Sequence, residues 1–355
     1  MTLKKTISRT LSSYDPRNIK IATICSHSAL QIFLGAKDEG FRTLGICTKD
    51  RKLLYKAFPR AAPDEFIMVD NFNGVLSEAC QKQLRQRNAV VVPHGSFVEY
   101  VGLTEFLSAF QVPIFGNREC VKWEGDREKQ REWLKRAGLK LPRIYASPKD
   151  IDGPVLIKYP GAKGGRGYFA AASRREFERK LGRKDARELT IQEFIAGPRY
   201  YPHFFYSPLE KTGIRVGDGR LELMGIDRRI EQIDEAYRGP SATELDFTVS
   251  GNLPLVVRES LLPELVTMGL SAVKTSTELF PPGMVGPFSL ETIYQPERGF
   301  TVFEVSARIV AGTNIYPQGS PYSCYIFEEG MSMGRRIARE LRTAATSDRL
   351  HKILS

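Results

Sequence analysis

The stretch VLIKYPGAKGGRGYFAA, residues 155–171, decides how the rest of the chain is interpreted. Its first three residues are apolar and predict a buried strand that ends at Lys158. A loop rich in glycine follows, and the residues from Tyr168 onward predict a second strand. The loop contains Gly161, Gly164, Gly165 and Gly167, with Lys163 and Arg166 between them. Because each glycine costs backbone entropy, such a loop favours a special role, such as holding a polyphosphate on backbone N–H groups and cations.

Known phosphate-binding and RNA-binding motifs fit this stretch poorly. The chain has no G-x-x-x-x-G-K-[ST] sequence. Gly165-x-Gly167-x-x-Ala170 has the letters of a dinucleotide fingerprint, but that motif must open a helix, and these residues predict a strand. An RNA-recognition strand is excluded because Phe169 stands where glycine or alanine is required. A mobile surface hairpin without a ligand is the alternative that remains open for this stretch.

Length and composition limit the class of protein. A chain of 355 residues suggests about two or three packed domains, and its 42% hydrophobic and 26% charged residues are typical of a soluble globular protein. The net charge of +11 is compatible with nucleic acid, an acidic surface or small anionic substrates. The basic residues concentrate in 118–143 and 174–187, where interspersed acids indicate solvated helix faces rather than a nucleic-acid surface.

Cysteine usage and hydropathy bear on the compartment. The five cysteines are odd in number and include no C-x-x-C pair, which favours a reducing cytoplasm and argues against a zinc site. No apolar run approaches the roughly 20 residues that cross a bilayer. We therefore expect a cytoplasmic homo-oligomer whose partners are small molecules, with neither nucleic acid nor membrane among them.

Strands and helices alternate in the first third of the chain, which predicts an open, mostly parallel sheet covered on both faces. Strands are predicted at 20–25, 41–47, 66–69 and 89–92, with a fifth at 112–115, and helices at 26–40 and 76–87. Ligands of such sheets bind beyond the carboxyl ends of the strands. Two polar clusters follow strands here, Ser26-His27-Ser28 and His94-Gly95-Ser96. They are either ligand-binding residues or only a helix cap and a hydrogen-bonded turn.

The remainder of the chain predicts an α+β region. Helices are predicted at 125–138, 173–181, 254–280 and around 337–341, strands at 141–145, 189–197, 203–207 and 221–230, a polar turn at 211–220 and a loop or lid at 231–249. Two later strands, 286–294 and 300–305, each carry one acid among apolar residues, Glu291 and Glu304. Two buried carboxylates repel each other unless a cation lies between them, and oxygen ligands beside a phosphate loop favour Mg²⁺. The alternatives are acids on a solvated face, or an ion pair between Glu304 and Arg308.

This order of parts resembles the ATP-grasp superfamily over about residues 19–340. Within it the chain resembles the archaeal formate-dependent synthetases that formylate aminoimidazole-carboxamide ribonucleotide (AICAR). The resemblance is carried by VVPHGSF (91–97), IFGNR (114–118), GAKGGRGYF (161–169), FYSPL (205–209), RESLLP (258–263), PPGMVGPF (281–288), FEVSAR (303–308), GTN (312–314) and SMGRRIARE (332–340).

The resemblance implies a domain order and a set of site residues. It implies a parallel α/β (pre-ATP-grasp) domain over 19–120 and an ATP-grasp domain over 121–355. Within the last, 121–200 would include a glycine-rich lid subdomain and 201–355 the metal-binding and substrate subdomain. An N-terminal helix over 1–18 is predicted separately, because Leu3, Ile7 and Leu11 fall on one helical face. The implied residues are Arg127, Lys158, Gly164, Gly165, Arg166, Gly167, Gln192, Glu193, Ile195 and Glu231 for ATP, Glu291 and Glu304 for Mg²⁺ or Mn²⁺, His27, Ser96 and Asn252 for AICAR, and Lys158 and Arg308 for catalysis.

The implied reaction transfers the γ-phosphate of ATP to formate, and the 5-amino group of AICAR then attacks the formyl phosphate. Three features depart from the family pattern: Gln192-Glu193 instead of two acids, Val310-Ala311 instead of Asp-Gly, and a shorter polar stretch after Glu231. These departures leave open a related ligase with another acid or amine. A basic nucleotide-binding or RNA-binding protein without catalysis is the alternative from a different class.

Overall fold

A computed structural model of the chain describes residues 3–163, 166–182, 189–231 and 249–355, with the backbone alone described at 160–163 and 166. Gly164, Gly165, the side chain of Arg166 and most of the polar stretch after Glu231 thus lie outside the described residues. In the part of the chain that is described, no helix has the length and apolar character needed to cross a lipid bilayer.

The first sheet is parallel, as predicted. Its strands are β1 (Lys20–Ile24), β2 (Arg42–Cys47), β3 (Glu65–Met68) and β4 (Ala89–Val91), in the order β3-β2-β1-β4. The surrounding helices are α1 (Leu3–Ser12), α2 (Ala29–Asp38), α3 (Lys49–Lys56), α4 (Glu78–Gln86), α5 (Leu103–Ala109), α6 (Arg118–Glu124) and α7 (Arg127–Arg136). The predicted fifth strand is wrong, because residues 112–115 contribute only two isolated bridges, between Val91 and Ile114 and between Phe115 and Leu354.

The second sheet is small and antiparallel and contains the glycine-rich hairpin. Its strands are β5 (Ile144–Tyr145), β6 (Val155–Lys163), β7 (Arg166–Ala171) and β8 (Thr190–Glu193), in the order β5-β8-β6-β7, and helix α8 (Arg174–Leu181) packs on it. Lys158 lies opposite Tyr168 in the β6–β7 pair. The predicted hairpin is therefore confirmed, but the prediction that its first strand ends at Lys158 is wrong, because β6 continues to Lys163.

The third sheet is antiparallel and forms the floor of the site. Its strands are β9 (Arg199–Ser207), β10 (Ile214–Val216), β11 (Gly219–Glu231), β12 (Val249–Pro254), β13 (Gly286–Gln295) and β14 (Gly299–Ser306), in the order β10-β11-β9-β13-β14 with β12 on β11. One face is apolar and packs on α9 (Leu262–Leu279) through Phe204, Phe288 and Leu290. The prediction of a helix from residue 254 is wrong at its start, since β12 ends there and α9 begins at Leu262.

Two later helices, α10 (Pro321–Cys324) and α11 (Met333–Thr346), complete the fold. Helix α11 packs so closely on α2 that a Cβ at Gly334 would lie 2.2 Å from the carbonyl oxygen of Gln31. A Cβ at Gly35 would likewise lie 2.1 Å from the backbone nitrogen of Arg335. Only glycine therefore allows this contact, through which the end of the chain covers the first sheet. The domain boundaries that the resemblance implies stay predictions.

A buried ion network joins α11 to the third sheet. Arg336 donates to Glu222 through Nε at 2.7 Å and to Glu340 through Nη1 at 2.8 Å, and its guanidinium lies 4.2 Å from the ring centre of Phe205. Ser207 also donates to Glu340 at 2.7 Å. All three charged groups are buried, so removal of the Arg336 cation costs stability: Glu222 keeps its pair with Arg220, but Glu340 loses its cation and keeps the Ser207 hydroxyl.

We expect Arg336→Met to lower the free energy of unfolding by about 3–5 kcal/mol, because it uncouples this buried network. Urea unfolding followed by circular dichroism measures the change. Arg174→Met is the matched control, since Arg174 pairs with Glu178 at 2.8 Å in an exposed position and should behave like the wild type. Equal midpoints for the two variants would contradict this role of Arg336.

Candidate active site

The polar face of the third sheet collects the chemistry-bearing side chains. Residues two apart on a strand share a face, and side chains opposite each other on paired strands lie side by side. By this register the face carries Tyr201 and His203 on β9, Asp227, Arg229 and Glu231 on β11, Asn252 on β12, Ser289 and Glu291 on β13, and Glu304 and Ser306 on β14.

Glu291 and Glu304 lie directly opposite each other across β13 and β14. Burial raises the pKa of Glu304 to about 7, and the charge of Glu291 acts in the same direction, against the opposing charges of Arg229 and Lys158. Such a pair fits a divalent cation, since Mg²⁺ commonly takes one or two protein carboxylates and completes its shell with phosphate oxygens and water. Among the described residues no third His, Cys, Asp or Glu joins them in a metal-binding cluster.

Lys158 faces this carboxylate pair from the hairpin sheet. It lines the same cavity as Glu291 and Glu304, and its ammonium lies 5.6 Å from the ring centre of Tyr168. Burial lowers the pKa of Lys158, while the charge of Glu304 opposes that shift. Arg127 is hydrogen-bonded to the Tyr168 side chain and adds a positive charge near Lys158, although it lies outside the cavity lining.

The predicted hinge for adenine lines the other side of the same cavity through Gln192, Glu193 and Ile195. The backbone N–H of Glu193 donates to the carbonyl of Arg143 at 2.8 Å. The Glu193 carboxylate accepts from Arg298 at 2.6 Å. Glu193, the acid that follows the departure at Gln192, therefore ties the hinge to the turn between β13 and β14.

Two residues of β11, Arg229 and Glu231, line the same cavity. Glu231 is buried, lines the cavity and pairs with Arg199. Arg229 donates to both oxygens of Glu291, at 2.7 and 2.9 Å, and its guanidinium lies 3.9 Å from the ring centre of Tyr201. The sequence analysis missed Arg229, although its alternation with Asp227 and Glu231 on one strand was a usable signal.

The two polar clusters of the first sheet meet at one place. The rings of His27 and His94 stack in parallel, with centroids 5.2 Å apart. His27 adopts a left-handed backbone conformation, with φ 52°, and a Cβ at Gly95 would lie 2.6 Å from its Nε2. Part of His27 is exposed, yet burial of its ring, together with the charges of His94, Arg308 and Arg229, holds its pKa well below the usual range.

His94 is a buried, neutral support for this cluster. Its Nε2 lies 3.0 Å from the carbonyl oxygen of Ile24, and its Nδ1 accepts from the backbone N–H of Ser96 at 3.2 Å. Burial lowers its pKa to about 4, which agrees with a ring that carries its single proton on Nε2. The cluster positions Ser96, which is itself buried.

The start of helix α2, directly after His27, lies close to a cation from the neighbouring helix α3. Ser28 occupies the N-cap position of α2 but makes no side-chain cap, because its hydroxyl lies 2.8 Å from His27 Nδ1. Ser26 accepts from Nη1 of Arg51 at 2.8 Å. Arg51 lies on α3, a helix that the sequence analysis did not predict, and it brings a guanidinium to the start of α2.

Arg308 is held by a buried acid on α6. Its Nη2 lies 3.0 Å from Oε1 of Glu124, whose Oε2 accepts from the backbone N–H of Ala307 at 2.9 Å. The alternative of a Glu304–Arg308 ion pair is therefore wrong. So is the expectation that the mixed charges of 118–143 all face solvent, since Glu124 and Arg118 are buried. Arg308 lies outside the cavity lining, on the side of His27 and His94.

A short turn, Ala311–Ile315, links the two sides of the site. Gln31 on α2 donates to Thr313 at 2.6 Å and to Asn314 at 2.7 Å. Asn314 in turn donates to the backbone oxygen of His27 at 3.2 Å. The Gly-Thr-Asn segment that follows the Val310-Ala311 departure therefore keeps the turn at His27 in register with the third sheet.

This fold is that of the ATP-grasp proteins. Solved structures that share it include N5-carboxyaminoimidazole ribonucleotide synthetase, 12% identical with a TM-score of 0.63, over 92% of this chain and 77% of that one. A biotin carboxylase domain from Hydrogenobacter thermophilus, 14% identical with a TM-score of 0.64, covers 91% of this chain and 69% of its own.

The chain belongs to the family of archaeal 5-formaminoimidazole-4-carboxamide-1-(beta)-D-ribofuranosyl 5'-monophosphate synthetases. It is 53% identical to the protein of that name from Korarchaeum cryptofilum and 52% identical to that from Methanothrix thermoacetophila, in each case over 100% of both chains. An IMP biosynthesis protein, PurP, from Thermococcus kodakaraensis is 34% identical with a TM-score of 0.76, over 94% of this chain and 100% of that one. Two family models, described as a protein (DUF1246) and a domain (DUF1297) of unknown function, match residues 21–145 and 169–355.

Proposed function

We propose that the protein is a ligase that formylates the 5-amino group of AICAR with formate and ATP, releasing ADP and phosphate, in the synthesis of IMP. The observation that carries the proposal is the facing pair Glu291 and Glu304 beside Lys158, in a chain half-identical over its full length to synthetases named for this product. We further propose that the protein is cytoplasmic and forms a homo-oligomer.

The carboxylate pair and its cations explain the first step. Formate is a poor electrophile, and its phosphorylation concentrates negative charge on the transferring group. Glu291 and Glu304 would hold Mg²⁺ or Mn²⁺, which supplies charge neutralisation at the phosphates. Lys158 adds a fixed cation beside them. Arg308, which Glu124 holds outside this cavity lining, would contact the phosphate that leaves when the amine attacks.

Arg229 is the best candidate for the formate site. Its guanidinium already binds one carboxylate with both arms, that of Glu291, and lies flat on Tyr201. A planar guanidinium matches a carboxylate in this two-pronged way better than an ammonium does. Formate would take this place when Glu291 turns to a metal ion, next to the phosphate donor.

The hinge leaves one backbone donor for adenine. The N–H groups of Glu193 and Phe194 donate to the carbonyls of Arg143 and Pro154. Among the described residues no acceptor is found for the N–H of Ile195, which lines the cavity. We assign adenine recognition to Ile195 and its neighbours, with Glu231 toward the ribose side. Gly164 to Gly167 would cover the phosphates and keep water from the acyl phosphate.

We assign the binding site for AICAR to the cluster of residues around His27. The start of α2 provides N–H groups and a helix dipole that favour a phosphate, and Arg51 adds a cation there. Ser96 and Asn252 would contact the same substrate. The test is incubation of the protein with formate, ATP and AICAR, with chromatography for the formylated product. ATP binding without that product would instead favour a related ligase with another acid or amine.

Gly95→Ala is expected to raise the KM for AICAR about tenfold, because the new methyl group would displace the His27 ring that lies 2.6 Å from its position. The KM for ATP should stay unchanged. Steady-state kinetics with each substrate varied measures both. Gly153→Ala is the control, since nothing lies within 4 Å of its Cβ position. A rise in the KM for ATP equal to that for AICAR would contradict the assignment of this cluster to AICAR.

A further inference from the structure

A buried carboxylate fixes the orientation of the Asn252 side chain. Nδ2 of Asn252 donates to Oδ2 of Asp227 at 2.6 Å. An ionised carboxylate only accepts hydrogen bonds, so the amide must turn its NH₂ group toward Asp227. The amide oxygen of Asn252 therefore faces away from Asp227, and Asn252 itself is only partly buried.

Asp227 is held ionised and in place from several sides. Its Oδ1 lies 2.7 Å from Nε2 of His203, and both side chains are buried. Burial alone would raise the pKa of Asp227, but His203, the charge of Arg229 and the bond from Asn252 outweigh it and lower the pKa. A Cβ at Gly312 would lie 2.3 Å from Oδ1, so this turn packs directly on the carboxylate.

Asn252 lies next to Arg229, the residue that we assign to formate. Asn252 is the direct partner of Arg229 across β11 and β12, and Arg229 contacts Glu291. An acceptor at this position would meet the ring substituents of AICAR, since the amine and the NH₂ end of the carboxamide are both donors. The same acceptor would repel a carboxylate in place of the carboxamide.

We propose that Asp227 is a positioning residue that makes Asn252 present its oxygen to the N–H groups of the aminoimidazole carboxamide and so selects this amide over the corresponding carboxylate. The inference rests on the proposed function. His203 lies behind Asp227, and its buried ring is part of the packing around the carboxylate. The Asn252 side chain could not hold this orientation by itself, since either its oxygen or its NH₂ group can face a ligand. The preference for AICAR therefore comes from the orientation that Asp227 imposes.

The test measures binding of AICAR and of 5-amino-4-imidazolecarboxylate ribonucleotide by calorimetry. The wild type should prefer AICAR, and Asp227→Asn should weaken AICAR binding about tenfold and narrow the preference, because an amide in place of the carboxylate no longer fixes which end of Asn252 faces the ligand. Binding of a non-hydrolysable ATP analogue shows that the variant is folded. A wild type that binds both ribonucleotides equally, or an Asp227→Asn protein with unchanged affinity and preference, would overturn the inference.

A double variant separates positioning from simple support. In Asp227→Asn/Asn252→Asp the two groups exchange roles, and a carboxylate oxygen at position 252 again faces the ligand. It should regain AICAR affinity relative to Asp227→Asn, whereas Asn252→Asp alone places two carboxylates against each other and should bind worst. Asn252→Ala should lose the preference while leaving Asp227 intact. The inference is contradicted if the folded double variant does not regain AICAR affinity, or if Asn252→Ala still prefers AICAR over the carboxylate ribonucleotide. A wild type that binds neither ribonucleotide would instead contradict the proposed function itself.

Discussion

Glu304→Gln is expected to lower kcat by about a thousandfold or more, because the amide removes one of the two facing carboxylates that would hold the metal against the transferring phosphate. Its volume is preserved, so the sheet should remain intact. The affinity for Mn²⁺ should fall with it. Steady-state turnover and a Mn²⁺ titration followed by electron paramagnetic resonance measure the two effects separately.

The control for this change lies on the same hairpin. Glu297 is in the turn between β13 and β14, and Glu297→Gln should match the wild type in both readouts. Retained Mn²⁺ affinity in Glu304→Gln would show that this carboxylate is not a metal ligand. A variant that kept ATP-dependent product formation would contradict the proposed mechanism.

The sequence predicted those parts of the site in which one residue stands out against a regular background. Lys158 follows a short apolar run, and Glu291 and Glu304 each stand within an apolar strand, so each is visible as a charged residue in an apolar background. The structure places all three around one cavity. Their mutual positions follow from strand pairing, which the hairpin spacing already indicates. The prediction that the two acids lie on adjacent strands is confirmed, and the assigned roles of these residues stay predictions.

The parts that could not be predicted depend on contacts distant in the chain. Glu124 is one acid in a charged helical stretch, and only the fold buries it against Arg308, which is 184 positions away (308 − 124). Asp227 and Arg229 stand in the run IDRRIE, where their burial depends on the neighbouring strands β9 and β12. Strand β12 itself, VSGNLP, has the composition of a loop and pairs only because β11 offers an edge.

Arg229→Lys is expected to raise the KM for formate about a hundredfold, because a lysine keeps the positive charge but loses the two-armed contact that a carboxylate requires. The structure shows that contact with the carboxylate of Glu291, at 2.7 and 2.9 Å. The KM values for ATP and AICAR should change much less. Arg228→Lys is the matched control, since Arg228 is the next residue on β11 and its side chain is exposed on the opposite face.

The same experiment separates two roles of Arg229, because the guanidinium donates to Glu291, which we propose as a metal ligand, and also borders the space that we assign to formate. If Arg229 served only to hold Glu291, its replacement would weaken Mn²⁺ binding and raise the KM for ATP as strongly as that for formate. If it binds formate, the formate KM changes alone, and larger acids should gain relative to formate as the two-armed contact is lost. The Mn²⁺ titration of Arg229→Lys therefore decides between an arginine that supports the metal ligands and one that selects the acid.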